Sequence, residues 1–227
     1  MHDTVLANSL YLAMLKVLLG VRPSAPTNLV LSEIDVPSLS ARVKSAQKNF
    51  LEKLLKSREK MDDDPLIAIW QMCKQEKSRA FKYLNKVLTE ERLFETDREE
   101  RWINIQQATG SKFVVYREMN PDLSVHEMYT NKNISEFDRL VATRIRLSSH
   151  ELAIEKGRWS RTPRESRLCN CGEIQTEVHV VCFCPITDVV RASYPELNFQ
   201  SLEAVFKSVD STKAIRAIRR CYELVIK

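Results

Sequence analysis

The sequence predicts a mainly α-helical protein, an irregular multi-helix array relieved by one short strand or hairpin. Three observations carry that expectation. In 227 residues there are only 4 glycines and 8 prolines, too few chain-breakers for a many-turned β fold. Apolar residues recur at spacings of three and four along most of the chain, the period of a helix that buries one face. Only Lys112 to Met119, with Phe113, Val114, Val115 and Tyr116 in succession, has the β-branched and aromatic composition of a strand.

The elements follow in order. Leu6, Leu10, Met14, Val17 and Leu18 fall at helical spacing, and Gly20 stops that helix. The apolar run from Val5 to Leu19 looks at first like an export signal. It lacks a basic leader, however, carries Lys16 inside it, and has no small-x-small site after it. It is also shorter than the ~20 apolar residues a membrane span needs. A buried or partner-packed helix is expected, with no membrane contact. Localisation to cytoplasm and nucleus follows, and a reducing setting for the cysteines. Pro23 and Pro26 mark a connector, and Thr27 or Asn28 caps a short helix through Ile34 that Pro37 closes. Ser38 or Ser40 opens the next, whose apolar face is Val43, Ala46, Phe50, Leu51, Leu54 and Leu55. Arg42, Lys44, Lys48, Lys53, Lys56 and Arg58 lie among and around them. Asp62, Asp63 and Asp64 before Pro65 read as an acidic helix N-terminus.

Leu66, Ile69, Trp70 and Cys73 continue helically, as do Phe81, Leu84, Val87 and Leu88. A further helix spans Thr96 to about Ala108, and Gly110 breaks it. The strand then runs to Asn120–Pro121. Helical spacing returns with Phe137, Leu140, Val141 and Ile145, then Leu202, Val205 and Phe206, and finally Ala214, Ile215, Ile218, Tyr222 and Val225. Three regions result: a helical part over 1–110, a strand and connector over 111–133, and a C-terminal part over 134–227. A net charge of +5, 44% hydrophobic and 29% charged residues are ordinary for a soluble globular protein.

Four of the six cysteines, Cys169, Cys171, Cys182 and Cys184, fall within sixteen positions, with His179 between the pairs. The spacing C-x-C-x7-H-x4-C supplies a Cys₃His set, a standard structural zinc site, so Zn2+ is the expected cofactor. Gly172 permits the sharp turn that lets Cys169 and Cys171 reach one ion. A short helix over Glu177–Phe183 presents His179. Cys182 competes with Cys184 as fourth ligand, since on an ideal helix it shares a face with His179. Cys184 is preferred if the helix unwinds before Pro185, leaving Cys182 an apolar slot beside Val178 and Val181. The alternative is a set of buried free thiols. Four ligands saturate the ion, and neither Glu173 nor Glu177 falls in a hydrolytic or deaminase pattern, so the site reads as non-catalytic. Cys73 and Cys221 sit in helical patterns and read as core.

Between Arg139 and Arg167 the charge concentrates. Arg139, Arg144, Arg146, Lys156, Arg158, Arg161, Arg164 and Arg167 face only Glu151, Glu155 and Glu165, and Trp159 lies among them. Guanidinium groups with an interleaved aromatic suit phosphate backbones and base stacking. The competing reading is an arginine-rich segment docked on the protein's own carboxylates. On the first reading Arg144, Arg146, Lys156, Arg158, Trp159, Arg161, Arg164 and Arg167 contact RNA or DNA.

The stretches TRIRLSSHELAIEKGRW (Thr143–Trp159), RLCNCG (Arg167–Gly172) and TEVHVVCFCP (Thr176–Pro185) resemble the C-terminal CCHC zinc-knuckle region of non-LTR (LINE-like) retrotransposon polyproteins. LLGVRPSAPTNLVLSEI (Leu18–Ile34) is similar to the segment after the polymerase palm in that family, and SKFVVYREMNP (Ser111–Pro121) to its linker between thumb and knuckle. The resemblance implies a fold with a small zinc knuckle, and a nucleic-acid-contacting appendage that holds template RNA or target DNA during target-primed reverse transcription. By motif match Cys169, Cys171, His179 and Cys184 are the ligands. The paired aspartates of a polymerase are missing, since Asp62–Asp64 lack a strand–turn setting. The chain would be the C-terminal remainder of such an element or a host gene derived from one. Its expected partners are RNA or DNA and an upstream reverse transcriptase domain. A helical protein-interaction scaffold is the alternative.

Overall fold

The computed structural model describes residues 2–57 and 65–226. The expected acidic helix start at Asp62–Asp64, and Arg58, lie outside the described residues. The chain forms two compact units. Residues 36–101 make one, and residues 1–35 together with 102–227 make the other. This division differs from a linear first region of 110 residues, because the opening helices join the C-terminal body.

The smaller unit is built from α3 (Leu39–Ser57), α4 (Pro65–Gln75), α5 (Arg79–Thr89) and the first half of α6 (Leu93–Gln107). Ser38 caps α3 through its hydroxyl, which accepts from Ala41 N at 3.2 Å. Ser78 caps α5 in the same way, accepting from Phe81 N at 3.1 Å. Each side chain satisfies a backbone donor that the first helical turn leaves unpaired. Ala41, Leu51, Leu54, Ile67, Val87 and Leu93 form the buried interior. Trp70 packs against Phe81 with ring centroids 5.1 Å apart.

The larger unit opens with α1 (His2–Leu18) and α2 (Thr27–Glu33). After α6 come α7 (Ser111–Met119), α8 (Glu136–Arg146) and α9 (Ala153–Trp159). It closes with α10 (Asp188–Ala192), α11 (Leu202–Phe206) and α12 (Ser211–Ile226). α12 is its central rod. Ala214, Ile215, Ala217, Ile218 and Cys221 are fully buried along it, facing Val141, Ala142 and Ile145 of α8. Alanines at 142, 214 and 217 remove side-chain bulk and let neighbouring backbones approach closely, as small contact residues do between helices. Val180, Val181 and Cys182 pack into the same cluster, which seats the cysteine-bearing segment on α12.

The strand expected over Lys112–Met119 is the helix α7. Tyr116 and Met119 are both buried, at 0% and 1% exposure. Three apart, they share a helix face but would point to opposite sides of a strand. Lys112, one turn before Tyr116, points inward as well, donating to Ser148 O at 3.0 Å and pairing with Glu155. Long-range contacts of one face therefore override the β preference of Val114 and Val115, which is weak and context-dependent. Among the described residues the only β pairing is an isolated antiparallel bridge between Leu168 and Ile174. No helix among them is long and apolar enough to cross a membrane.

A buried polar cluster ties α2, α7 and α8 together. Arg146 donates from Nε and Nη2 to the two carboxylate oxygens of Glu33, at 2.5 and 3.1 Å. Tyr116 and Tyr129 donate their phenol hydrogens to the same carboxylate at 2.9 and 2.8 Å. Burial, and then the Glu33 charge, hold both phenols well above the ordinary tyrosine range.

Candidate metal centre

Cys169 and Cys171 ride on a tight reversal. Cys169 N donates to Glu173 O at 2.7 Å and Gly172 N to Cys169 O at 2.9 Å, with Leu168 and Ile174 bridging its arms. Gly172 takes φ of +96°, a backbone state that side chains with a Cβ rarely adopt. Arg167 anchors the incoming arm, donating from Nε and Nη2 to Thr162 O at 2.9 and 2.7 Å and from Nη1 to Ile154 O at 3.0 Å. The guanidinium crosses α9 at Gly157, where a Cβ would lie 2.5 Å from the Arg167 side chain.

His179 and Cys184 come from a π-helical turn, His179–Phe183. Thr176 Oγ1 accepts from His179 N at 3.0 Å and starts it. The i→i+5 bond from Cys184 N to His179 O, at 2.7 Å, closes it. On a regular α-helix five residues of separation would rotate Cys184 roughly 140° away from His179. The wider turn stacks one over the other instead. Cys182, the competing ligand, is turned into the core, and burial pushes its thiol up to about 12. A π turn releases carbonyls from the helical ladder, and two side chains collect them. Thr187 Oγ1 donates to Val180 O at 2.8 Å and Cys184 O at 3.0 Å. Arg191 donates to Val181 O at 3.3 Å and Cys184 O at 2.6 Å. Sequence reasoning missed this Thr187–Arg191 brace, since nothing local distinguishes it from an ordinary helix start.

The result is a compact donor set. The three sulfurs and the His179 ring nitrogen all lie within 4.8 Å of one another. Cys169 and Cys184 sulfurs are 3.7 Å apart, Cys171 and Cys184 sulfurs 3.8 Å, and Cys171 Sγ lies 3.1 Å from His179 Nε2. Burial pushes the Cys184 thiol up to about 12, helped by its sulfur neighbours. At Cys169 burial also works upward, but the Cys171 backbone donor and the adjacent thiols outweigh it and lower the thiol below its ordinary value. Burial lowers His179, keeping its ring neutral. A lowered Cys169 thiol and a lowered imidazole suit metal binding, while an ion would have to displace the proton that burial keeps on Cys184; these four residues can hold a metal ion.

Glu177 is turned away from the cluster. Its buried carboxylate lies 2.8 Å from His150 Nε2 and accepts from Ser148 Oγ at 3.0 Å. Burial works to raise it, yet His150 and these hydrogen bonds hold it down to about 2.

The basic run divides. Arg146 is 2% exposed and spent on Glu33, so it cannot reach a phosphate, which corrects its assignment as a nucleic-acid contact. Arg139 donates to the carbonyls of Met128, Asn131 and Ile134, and Arg144 to Gly20 O at 2.8 Å. Arg158 pairs with Glu155 and donates to Ser111 Oγ at 2.8 Å. Docking on the protein's own acceptors thus accounts for most of the run. Lys156, Arg161 and Arg164 are exposed. Trp159 is 48% exposed and carries Arg22 over one ring face, 3.4 Å from the centroid. No protein-family profile, curated protein or solved structure matches the chain.

Proposed function

We propose that the larger unit is a zinc-braced, non-catalytic module that binds nucleic acid, the C-terminal segment of a non-LTR retrotransposon reverse transcriptase-like protein. The observation that carries the zinc reading is the spacing of the donors. Tetrahedral zinc with ordinary bond lengths sets its sulfurs about 3.8 Å apart and sulfur and nitrogen about 3.5 Å apart. The sulfurs of Cys169, Cys171 and Cys184 lie 3.7 and 3.8 Å apart along the cluster, while the 3.1 Å from Cys171 Sγ to His179 Nε2 is about 0.4 Å short of the zinc value and would open on binding. Three thiolates and one imidazole fill the coordination shell, so the ion serves structure. Support for nucleic acid is the set Lys156, Trp159, Arg161 and Arg164, exposed in the segment that precedes Cys169 in the chain. With three exposed cations, one of them Lys156 in an ion pair with Glu151, and a mostly buried Arg158, binding to a single strand should weaken with salt at a log–log slope of about −2, shallower than the whole run would give.

Two measurements test this. Purified protein should carry one zinc per chain by elemental analysis, retained by Cys182→Ser and lost by Cys184→Ser. Arg161→Gln with Arg164→Gln should weaken binding of a single-stranded oligonucleotide and reduce the salt slope by about 1.4. Metal-free native protein, or binding indifferent to both arginines, overturns the reading. A second reading, a scaffold packing against a polymerase or other partner, is favoured by α1. Leu15 and Leu19 turn inward there, while Leu6, Leu10, Met14 and Val17 are exposed. It predicts self-association of the isolated chain, and a monodisperse monomer counts against it.

A further inference from the structure

Trp159 closes α9 with 48% of its surface exposed, and one face of its ring is already taken. The Arg22 guanidinium lies over that face, 3.4 Å from the centroid. Arg22 comes from the connector between α1 and α2 and is pinned at three points. Its backbone N donates to Ser149 Oγ at 2.8 Å, Nη1 donates to His150 O at 3.0 Å, and Nη2 pairs with Glu151. Glu151 is fixed in turn, since its backbone N donates to Tyr222 Oη at 3.0 Å. All of these residues belong to the larger unit. A planar cation held in this way sets the plane of the indole before any ligand arrives, which lowers the ordering cost of binding.

With Arg22 on one side, the exposed half of the ring includes the opposite face. Tryptophan is highly buried on average, so a rigid indole with one face in water is a surface for stacking. The charges around it limit what can stack. Lys156, one turn earlier on the same side of α9, is exposed, and so is Arg161 two positions later. Arg22 and Lys156 share a single carboxylate, Glu151, the second at 3.7 Å, so positive charge dominates near the ring. A cationic ligand would meet those charges and compete with Arg22 for the same π electrons. A neutral π face carried on an anionic chain meets neither obstacle, and that describes a nucleobase in a single strand. Inside a duplex both faces of each base are covered by its neighbours, so the base has to be unpaired.

We infer that Trp159, backed by Arg22, is a stacking platform for one unpaired base of a bound strand. The inference rests on the nucleic-acid reading above and names what is recognised: a single-stranded segment, in preference to duplex, through a contact that carries no charge. Trp159 makes the contact. Arg22, which no sequence pattern singled out, is a positioning residue that acts through the ring. The two kinds of contact separate by their response to salt. Exposed arginines set the salt slope, and stacking adds affinity that salt does not screen.

The test uses the full chain with Trp70→Phe and Trp102→Phe, which leaves Trp159 as its only tryptophan. The probes are oligo-dT, an abasic strand of the same length, a blunt duplex and a trimethyllysine peptide, with affinities read by anisotropy of labelled probe. Oligo-dT should quench Trp159 emission and shield it from acrylamide, and the other three should not. It should bind about fivefold or more tightly than the abasic strand, the size of one base–aromatic contact, with the same salt slope. Trp159→Leu should bring oligo-dT down to the abasic affinity, and Trp159→Phe should restore part of the loss. Arg22→Gln should raise acrylamide quenching of the unliganded protein, since both ring faces are then open, and weaken oligo-dT about two- to fivefold; Arg22→Lys should recover part of both. Circular dichroism confirms that each variant is folded. If oligo-dT binds without changing Trp159 emission, or Trp159→Leu keeps full affinity, the platform assignment is wrong while the general reading stands. Equal quenching by the duplex or by the trimethyllysine peptide overturns the assignment too. If no oligonucleotide binds the wild-type chain at low salt, the general reading fails and takes this one with it.

Discussion

Replacing Glu33 with alanine should destabilise the larger unit more than any single change in the exposed basic strip. Arg146 is 2% exposed and Glu33 0% exposed, and both guanidinium contacts end on that one carboxylate. Removing it leaves a cation in a low-dielectric interior, where breaking one side of a buried pair costs about 3–5 kcal/mol. Tyr116 and Tyr129 lose their shared acceptor in the same step. Set against a typical domain stability of about 5–15 kcal/mol, the variant should be near its folding limit, with Tm lowered by roughly 6–20 °C. Urea unfolding in a Trp70→Phe background lets the remaining tryptophans, Trp102 and Trp159, report on the larger unit. The double variant Glu33→Leu with Arg146→Met should recover about 2 kcal/mol or more, because an apolar pair removes the stranded charge. A loss under about 1 kcal/mol, the size of an exposed ion pair, would refute the burial argument. It would also return Arg146 to the pool of cations available for nucleic acid.

The same cluster sets an alkaline limit. Tyr116 and Tyr129 titrate well above 10.0 in the fold, chiefly because burial disfavours phenolate. Unfolded phenols release protons first, so this contribution is intact below about pH 10 and is lost as pH climbs from there toward the folded values; urea midpoints should fall over that window, and Glu33→Gln should soften the fall. Thr187→Val removes the hydroxyl that collects Val180 O and Cys184 O, and should cost about 1–3 kcal/mol and weaken metal retention against a chelator; unchanged retention would show that the π turn holds itself. Gly157→Ala would gain about 1 kcal/mol on an open helix face, but here the added carbon meets Arg167 at 2.5 Å. Protease digestion should therefore open the Arg167–Cys169 arm, and a raised Tm would contradict the contact.

Where local chemistry suffices, the amino-acid sequence by itself determined the outcome. Periodic apolar residues specified α5, α8 and α12, Ser38 or Ser40 was the expected start of α3 and Ser38 caps it, and the cysteine–histidine spacing specified three of the four clustered donors outright. Three matters were settled only by tertiary contact. Val114 and Val115 became helical because Lys112, Tyr116 and Met119 all have partners on one side, and a local β preference cannot oppose several long-range bonds. Cys184, the preferred ligand that the spacing left in competition with Cys182, reaches the cluster because Thr187 and Arg191, three and seven positions further on, collect the carbonyls that a π turn sets free. The arginines of 139–167 mostly turned inward because acceptors 3 to 124 positions away, from Glu155 beside Arg158 to Glu33 and Gly20 O opposite Arg146 and Arg144, wait for them. Charge is visible in a sequence, whereas the distance to a compensating carboxylate or carbonyl exists only after the chain has folded.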